Sequence, residues 1–179
     1  MSQSVFLPNY TIGTDAYEKA NGIVKEYGTK VVLIGGKTAL SKAENKIKVA
    51  LTQEIEVVAS LWYGGNSTYG NIEQLHESVQ KADVLFAVGG GRACDTVKVI
   101  GEKLAKPVFT FPTIGSNCSP VTAVCVIYNE EGVMDGLFFP SKPPVHTFID
   151  TAIIAEAPDK YLWAQVLAML YPKKSNLLF

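Results

Sequence analysis

Residues 85–104 read LFAVGGGRACDTVKVIGEKL: three consecutive glycines between a short apolar run and an amphipathic one. A glycine-rich turn at the C-terminal end of a strand lets anionic oxygens approach bare backbone N–H groups. The helix that follows adds roughly half a positive charge at its N-terminus. Phosphate binding is the chemistry such a turn can do. Gly89-Gly90-Gly91 departs from the G-x-G-x-x-G spacing of the common dinucleotide fingerprint. On spacing alone, a phosphate cradle and a bare strand-to-helix turn both stay open. Asp95 and Lys98 are the polar members of the next two turns. Taken alone, an Asp near a helix N-terminus is favourable electrostatics and Lys98 is free to be solvated.

A second candidate is FPTIGSNCSP at 111–120, a segment dense in hydroxyls and backbone donors. It suits the polar edge of a ligand or a plain turn. Cys118 lies within it, but no histidine is placed by sequence to activate the thiol. His76 and His146 show no metal-ligand spacing and are given no role.

The elements that must position these residues alternate. Strands are predicted over 30–34, closed by Gly35-Gly36, and over 55–61, 83–88 and 107–111. Between them, helical spacing marks 41–51, with Ala43, Ile47, Val49, Ala50 and Leu51 as the apolar face. It also marks a helix capped by Asn71 with Ile72, Leu75 and Val79 inward, and another over 94–104. Strand–helix alternation implies right-handed crossovers and a doubly wound, Rossmann-like α/β fold with a mainly parallel sheet. After Pro112 the pattern changes to a β-hairpin, 123–128 and 133–139 about the turn 129–132. A strand at 145–149, a short helix at 151–156, a last helix at 159–170 and a loose tail from 173 complete the prediction.

Composition narrows the function classes. A formal charge of −1 and scattered acids give no electrostatic reason to expect nucleic acid or an anionic membrane as partner. Three cysteines without a CxxC pair are the usage of a reducing compartment. The N-terminus MSQSVFLPNY lacks the pattern of a signal peptide, and no apolar run approaches the ~20 residues of a membrane-spanning helix. A cytoplasmic protein is expected.

Three motifs in order, GGGRACDTVK at 89–98, FPTIGSNCSPVTAVCVIYNEEG at 111–132 and IDTAIIAEAPDKYL at 149–162, resemble the iron-containing (group III, metal-dependent) alcohol dehydrogenases, in particular their glycerol dehydrogenase branch. The resemblance runs from the N-terminus to about Ala164. It implies a dehydroquinate synthase-like N-terminal domain, residues 1–157, that binds NAD or NADP. It also implies that Gly89, Gly90 and Gly91 hold the pyrophosphate with Asp95 beside them. Thr113, Thr122, Val124, Val126 and Tyr128 would line the track from adenine to nicotinamide. The full-length relatives would oxidise a small alcohol or polyol with the help of a divalent metal, zinc or iron.

Two positions depart from the family pattern. Gly36 stands where the family often carries an Asp for the adenosine ribose, which leaves NAD and NADP both open. Cys118 stands where the family carries a substrate-side Asp, which counts against glycerol itself. The family's metal ligands are an Asp in a GIGDAL-like helix and two later histidines, all in a C-terminal helical domain. This chain reads QVLAML at 165–170, with Ala168 in place of that Asp. With permissible codons for 165–174, reading from the third nucleotide restores Gly-Ile-Gly-Asp-Ala-Leu. Residues 158–179 are therefore expected to be the remnant of the first helix of that domain plus an aberrant tail, with the helical domain and the metal absent. Codons that cannot yield Gly-Asp in the shifted frame would refute the idea. The expectation is an oxidoreductase fragment that holds a dinucleotide, lacks turnover alone and self-associates through an uncovered face. The alternative is a stand-alone nucleotide-binding or dimerisation module.

Overall fold

A computed structural model describes residues 9–115, 117–161 and 163. In chain order its strands are β1 (Asn9–Gly13), β2 (Lys30–Gly35), β3 (Glu56–Trp62), β4 (Val84–Val88), β5 (Val108–Phe111), β6 (Cys125–Tyr128), β7 (Met134–Phe138) and β8 (His146–Asp150). The helices are α1 (Ala20–Val24), α2 (Lys37–Ala50), α3 (Tyr69–His76), α4 (Gly91–Leu104) and α5 (Thr151–Ala155), with 3₁₀ turns at Ala16–Lys19 and Ser119–Val121. Six strands form one parallel sheet in the order β1-β8-β5-β4-β2-β3, and β6 and β7 form a separate antiparallel hairpin.

The sheet is covered on both faces, which is why its central strands are continuous apolar runs. Side chains alternate between two cores. Val31, Leu33, Val84, Phe86 and Val88 point to the face covered by α2, with the ring of Tyr17 and the rings of Phe109, Phe111 and Phe148. Val32, Ile34, Leu85 and Ala87 point to the other, against α3, α4 and the hairpin. Tyr17 meets Phe111 edge-on at 5.1 Å and Phe148 stacks on Phe111 at 5.0 Å. Burying each such ring contributes about 1.5–3 kcal/mol.

The chain leaves β2 outward to β3, then crosses back to β4 on the other side of β2. Strand order reverses at that point, which opens a crevice beyond the carboxyl ends of β2 and β4. The two strands close tightly there. A Cβ on Gly35 would lie 2.3 Å from the Val88 carbonyl oxygen, so only glycine fits.

Several expectations shift. β1 and the turn of helix after it fall in residues for which no element was predicted. NYTIG is a short edge strand with no buried residue, and it pairs only with β8. α2 starts at Lys37, four residues before the predicted 41, because Gly36 takes an extended N-cap conformation directly at the strand end. Val49 is off the core face of α2, at 77% exposure. Thr68, not Asn71, caps α3. Its Oγ1 accepts the Asn71 N–H at 3.2 Å, while the Asn71 side chain donates to the Asn66 carbonyl. Of the helix expected over 159–170, residues 159–161 and 163 are described and are helical. Ala168 and the tail 165–179 lie outside the described residues.

Candidate functional site

Five strands end on one cavity of about 640 Å³. Gly36 and Lys37 enter it after β2, Trp62 and Tyr63 at the end of β3, Gly90 after β4, and Thr113 after β5, with Ile153 and the segment 156–161 closing the side beyond β8. Two long helices start at its floor. Gly36 is the N-cap of α2 and Gly90 the N-cap of α4, both in extended conformation. A glycine has no side chain with which to satisfy first-turn N–H groups. At α3 and α5 a side chain does that job, whereas α1 runs on from the 3₁₀ turn Ala16–Lys19: Thr68 caps α3, and the Asp150 carboxylate accepts the Ala152 and Ile153 N–H groups of α5 at 3.0 and 3.2 Å. The two helix starts that face the cavity are thus left bare, with their dipoles adding positive potential.

The glycine turn is built for close approach. Gly89 has φ +138°, a conformation that side chains disfavour, and its N–H donates to the Phe111 carbonyl. Gly91 is buried as the first residue of α4. A Cβ there would lie 2.4 Å from the amide nitrogen of Asn117, which leans over the helix start.

The other residues singled out by sequence fall in two groups. Thr113 lines the cavity with Gly90. Asp95 lies one turn below the glycines, 5% exposed, with both carboxylate oxygens engaged inside the protein: Oδ1 by Ser119 and Lys98, Oδ2 by the Val126 N–H. Thr122, Val124 and Val126 belong to the segment that α4 carries on its flank, and Tyr128 packs under the Arg92 guanidinium at 4.9 Å. Lys98 is not solvated: it is 3% exposed and forms an ion pair with Asp95 at 3.0 Å.

Sequence reasoning missed the cationic rim. Lys37 lies over the Trp62 ring at 4.6 Å, and Lys42 pairs with Glu156 at 3.0 Å. Their only signal in the sequence is their place just after a strand that ends in glycine. The cysteines divide. Burial pushes the Cys94 and Cys125 thiols up to about 12, while Cys118 is exposed.

The chemistry of the site fits an anionic, phosphate-bearing ligand: bare N–H groups, a glycine floor that a Cβ would fill, and lysines at the rim. It does not fit a metal. Among the described residues no group of three His, Cys, Asp or Glu side chains converges on one point.

The family model for iron-containing alcohol dehydrogenases matches residues 8–151. The chain belongs to the iron-containing alcohol dehydrogenase family. Among relatives, it is 28% identical over 159 residues to a glycerol dehydrogenase of Pseudomonas putida, covering 88% of this chain and 44% of that protein. It is 40% identical over 104 residues to a glycerol dehydrogenase of Thermotoga maritima, covering 57% of this chain and 28% of that one. The solved structure of glycerol dehydrogenase from Schizosaccharomyces pombe superposes with a TM-score of 0.83 at 26% identity, over 93% of this chain and 44% of that chain. The chain therefore spans less than half the length of these dehydrogenases, and what it matches is their α/β portion. No helix among the described residues is long and apolar enough to cross a membrane.

Proposed function

We propose that the cavity at the strand reversal is the dinucleotide site of an alcohol or polyol dehydrogenase of this family. One observation carries the reading: two glycine-capped helix starts, at Gly36 and Gly90, face one cavity at the point where the strand order reverses. In this reading the backbone N–H groups of Gly90 and Gly91 take pyrophosphate oxygens, and Gly89 supplies the turn that aims them. Thr113 orients the ligand from the far wall, and the segment holding Thr122, Val124, Val126 and Tyr128 backs that wall. Gly36 sets no carboxylate beside β2, so the pocket admits NAD and NADP. A bound nicotinamide ring would accept or deliver hydride. The chain's own residues bind it, orient it and shield it from water.

In this reading residues 1–157 are the binding domain, and 158–179 are a remnant of the first helix of the helical domain that in the family supplies the metal ligands, plus an aberrant tail. Assayed by itself, the 179-residue polypeptide is expected to bind the dinucleotide without oxidising alcohols. The exposed rings of Trp62 and Tyr161 beside the cavity supply an apolar rim for self-association. The free cysteines fit a reducing, cytoplasmic setting.

Fluorescence titration of the purified polypeptide with NADH and with NADPH tests the site. Saturable binding of at least one is expected, and failure of both would remove the reading. Glycerol or 1,2-propanediol oxidation by the same polypeptide, with zinc or iron supplied, would overturn the expected lack of turnover. Sedimentation that stays monomeric at high concentration would overturn the self-association.

A further inference from the structure

Asp95 and Lys98 face away from the cavity, toward a segment that has little regular structure of its own. The Lys98 ammonium donates to the carbonyls of Ser119, Thr122 and Val124 at 2.9, 3.1 and 2.6 Å. The Asp95 carboxylate accepts the Ser119 hydroxyl at 2.6 Å and the Val126 N–H at 3.2 Å. Ser119 passes the constraint on. Its N–H donates to the Asn117 side-chain oxygen at 3.0 Å, and the Asn117 amide rests against Gly91, the first residue of α4.

A buried ion pair is a weak way to add stability. Desolvation of both charges offsets their attraction, and an apolar pair of similar volume does as well. What the pair adds is direction. An apolar helix face would accept segment 119–126 in more than one register, whereas one ammonium that reads three carbonyls accepts a single arrangement. We propose that Asp95 and Lys98 are positioning residues, a buried clamp that fixes segment 117–126 against the first turn of α4 and so shapes the dinucleotide site without touching the dinucleotide. The proposal rests on the dinucleotide reading above for its functional half, while the clamp itself can be tested without ligand.

Cys118 is the reporter. It is exposed in the clamped segment, whereas Cys94 and Cys125 are buried, so a thiol reagent such as DTNB reads Cys118 in the folded protein. The neutral pair Asp95→Asn with Lys98→Met removes both charges together and leaves none unpaired. Expected is a cooperative melt, Cys118 labelling about tenfold faster than wild type without ligand, and NADH or NADPH binding about tenfold weaker. Ser119→Ala removes only the hydroxyl link and should raise the labelling rate about threefold. It decides the matter if the double variant fails to fold. Lys106→Met, whose ammonium bonds the carbonyls of Val79, Gln80 and Ala82 and none in the segment, controls for general loosening and should leave the rate unchanged. A folded double variant with wild-type labelling and wild-type affinity overturns the clamp, as does a Lys106→Met variant that labels equally fast. If wild type binds neither dinucleotide, the functional reading fails, and the labelling rates without ligand still decide the clamp.

Discussion

The two ends of the parallel sheet carry cavities of nearly equal size and opposite chemistry. At the carboxyl end, about 640 Å³ opens onto two helix starts capped by glycine. At the amino end, about 620 Å³ lies among Tyr27, Glu102, Lys106, Pro107 and the proline-rich segment 140–144. There side chains have taken several of the loose backbone groups. Asp83 accepts the N–H groups of Thr29 and Lys30 at 3.0 and 2.9 Å, bonds that hold its carboxyl below the usual range. The Lys106 ammonium takes the carbonyls of Val79, Gln80 and Ala82 after α3. Volume does not tell the ends apart. Unspent backbone hydrogen-bonding capacity does, and it sits at the end where strand order reverses.

If the carboxyl end is built for close approach, filling it must be costly. Gly35→Ala puts a methyl 2.3 Å from the Val88 carbonyl oxygen, in the joint that holds β2 against β4. Both neighbours are buried strand, so neither yields easily. We expect a loss of about 3 kcal/mol of stability, read as a lower denaturant midpoint, together with lost NADH binding. A stable, binding-competent Gly35→Ala variant would show that the crevice does not depend on this contact.

At the amino end the expectation inverts: stability should suffer and binding should not. Lys106→Met leaves three carbonyls to find water, and the Gln80 carbonyl is reached by solvent. A cost of about 1.5 kcal/mol is expected, with NADH affinity unchanged. Weakened affinity in this variant would mean that the two ends are coupled.

The sheet was legible because both of its faces are buried. Runs such as VVLI and VLFAV have no competing reading once glycines bound them, and strand–helix alternation fixes their parallel pairing. β1 was illegible for the reverse reason. NYTIG lies at an edge and buries none of its residues, so no periodicity marks it. Within the site, the glycines announced the turn, but spacing could not say what Asp95 and Lys98 do. An Asp and a Lys three apart on a helix look the same whether they face water or a buried loop. Only the tertiary contact with 119–126 separates the two, and that contact spans more than twenty residues of sequence. Val49 shows the same limit on a smaller scale: an apolar residue beside Ile47 and Ala50 that turns outward.

A smaller test concerns how each end treats its backbone. Glycine takes the positive φ at Gly89 at the carboxyl end and at Gly28 ahead of β2, whereas Ala105 enters the left-handed region at φ 52° where α4 stops at the amino end. That conformation costs an alanine about 1 kcal/mol or more, while glycine adopts it freely but loses more entropy on folding. Ala105→Gly should therefore raise stability by no more than about 1 kcal/mol and leave dinucleotide affinity alone. A decrease in stability would mean that the alanine methyl supports the 140–144 segment beside it.

The smallest effect is expected from His146, which opens β8 at the amino end and ties the edge strand to the sheet. Its Nε2 lies 2.8 Å from the Thr11 hydroxyl of β1, and its ring packs on Phe148 at 4.5 Å. Burial holds its pKa below the ordinary histidine value. Folding therefore favours the neutral ring, so the stabilisation is present above the unfolded pKa near 6.5. It is lost as pH falls through that value toward the lowered folded one. The ring is only partly enclosed, in a cleft that Glu26 also lines. A modest drop in the urea midpoint between pH 7.5 and 5.5 is expected, and His146→Gln should flatten it. If the wild-type midpoint is flat across that range, the histidine titrates as freely in the fold as outside it. β1 is then held by its ladder with β8 alone.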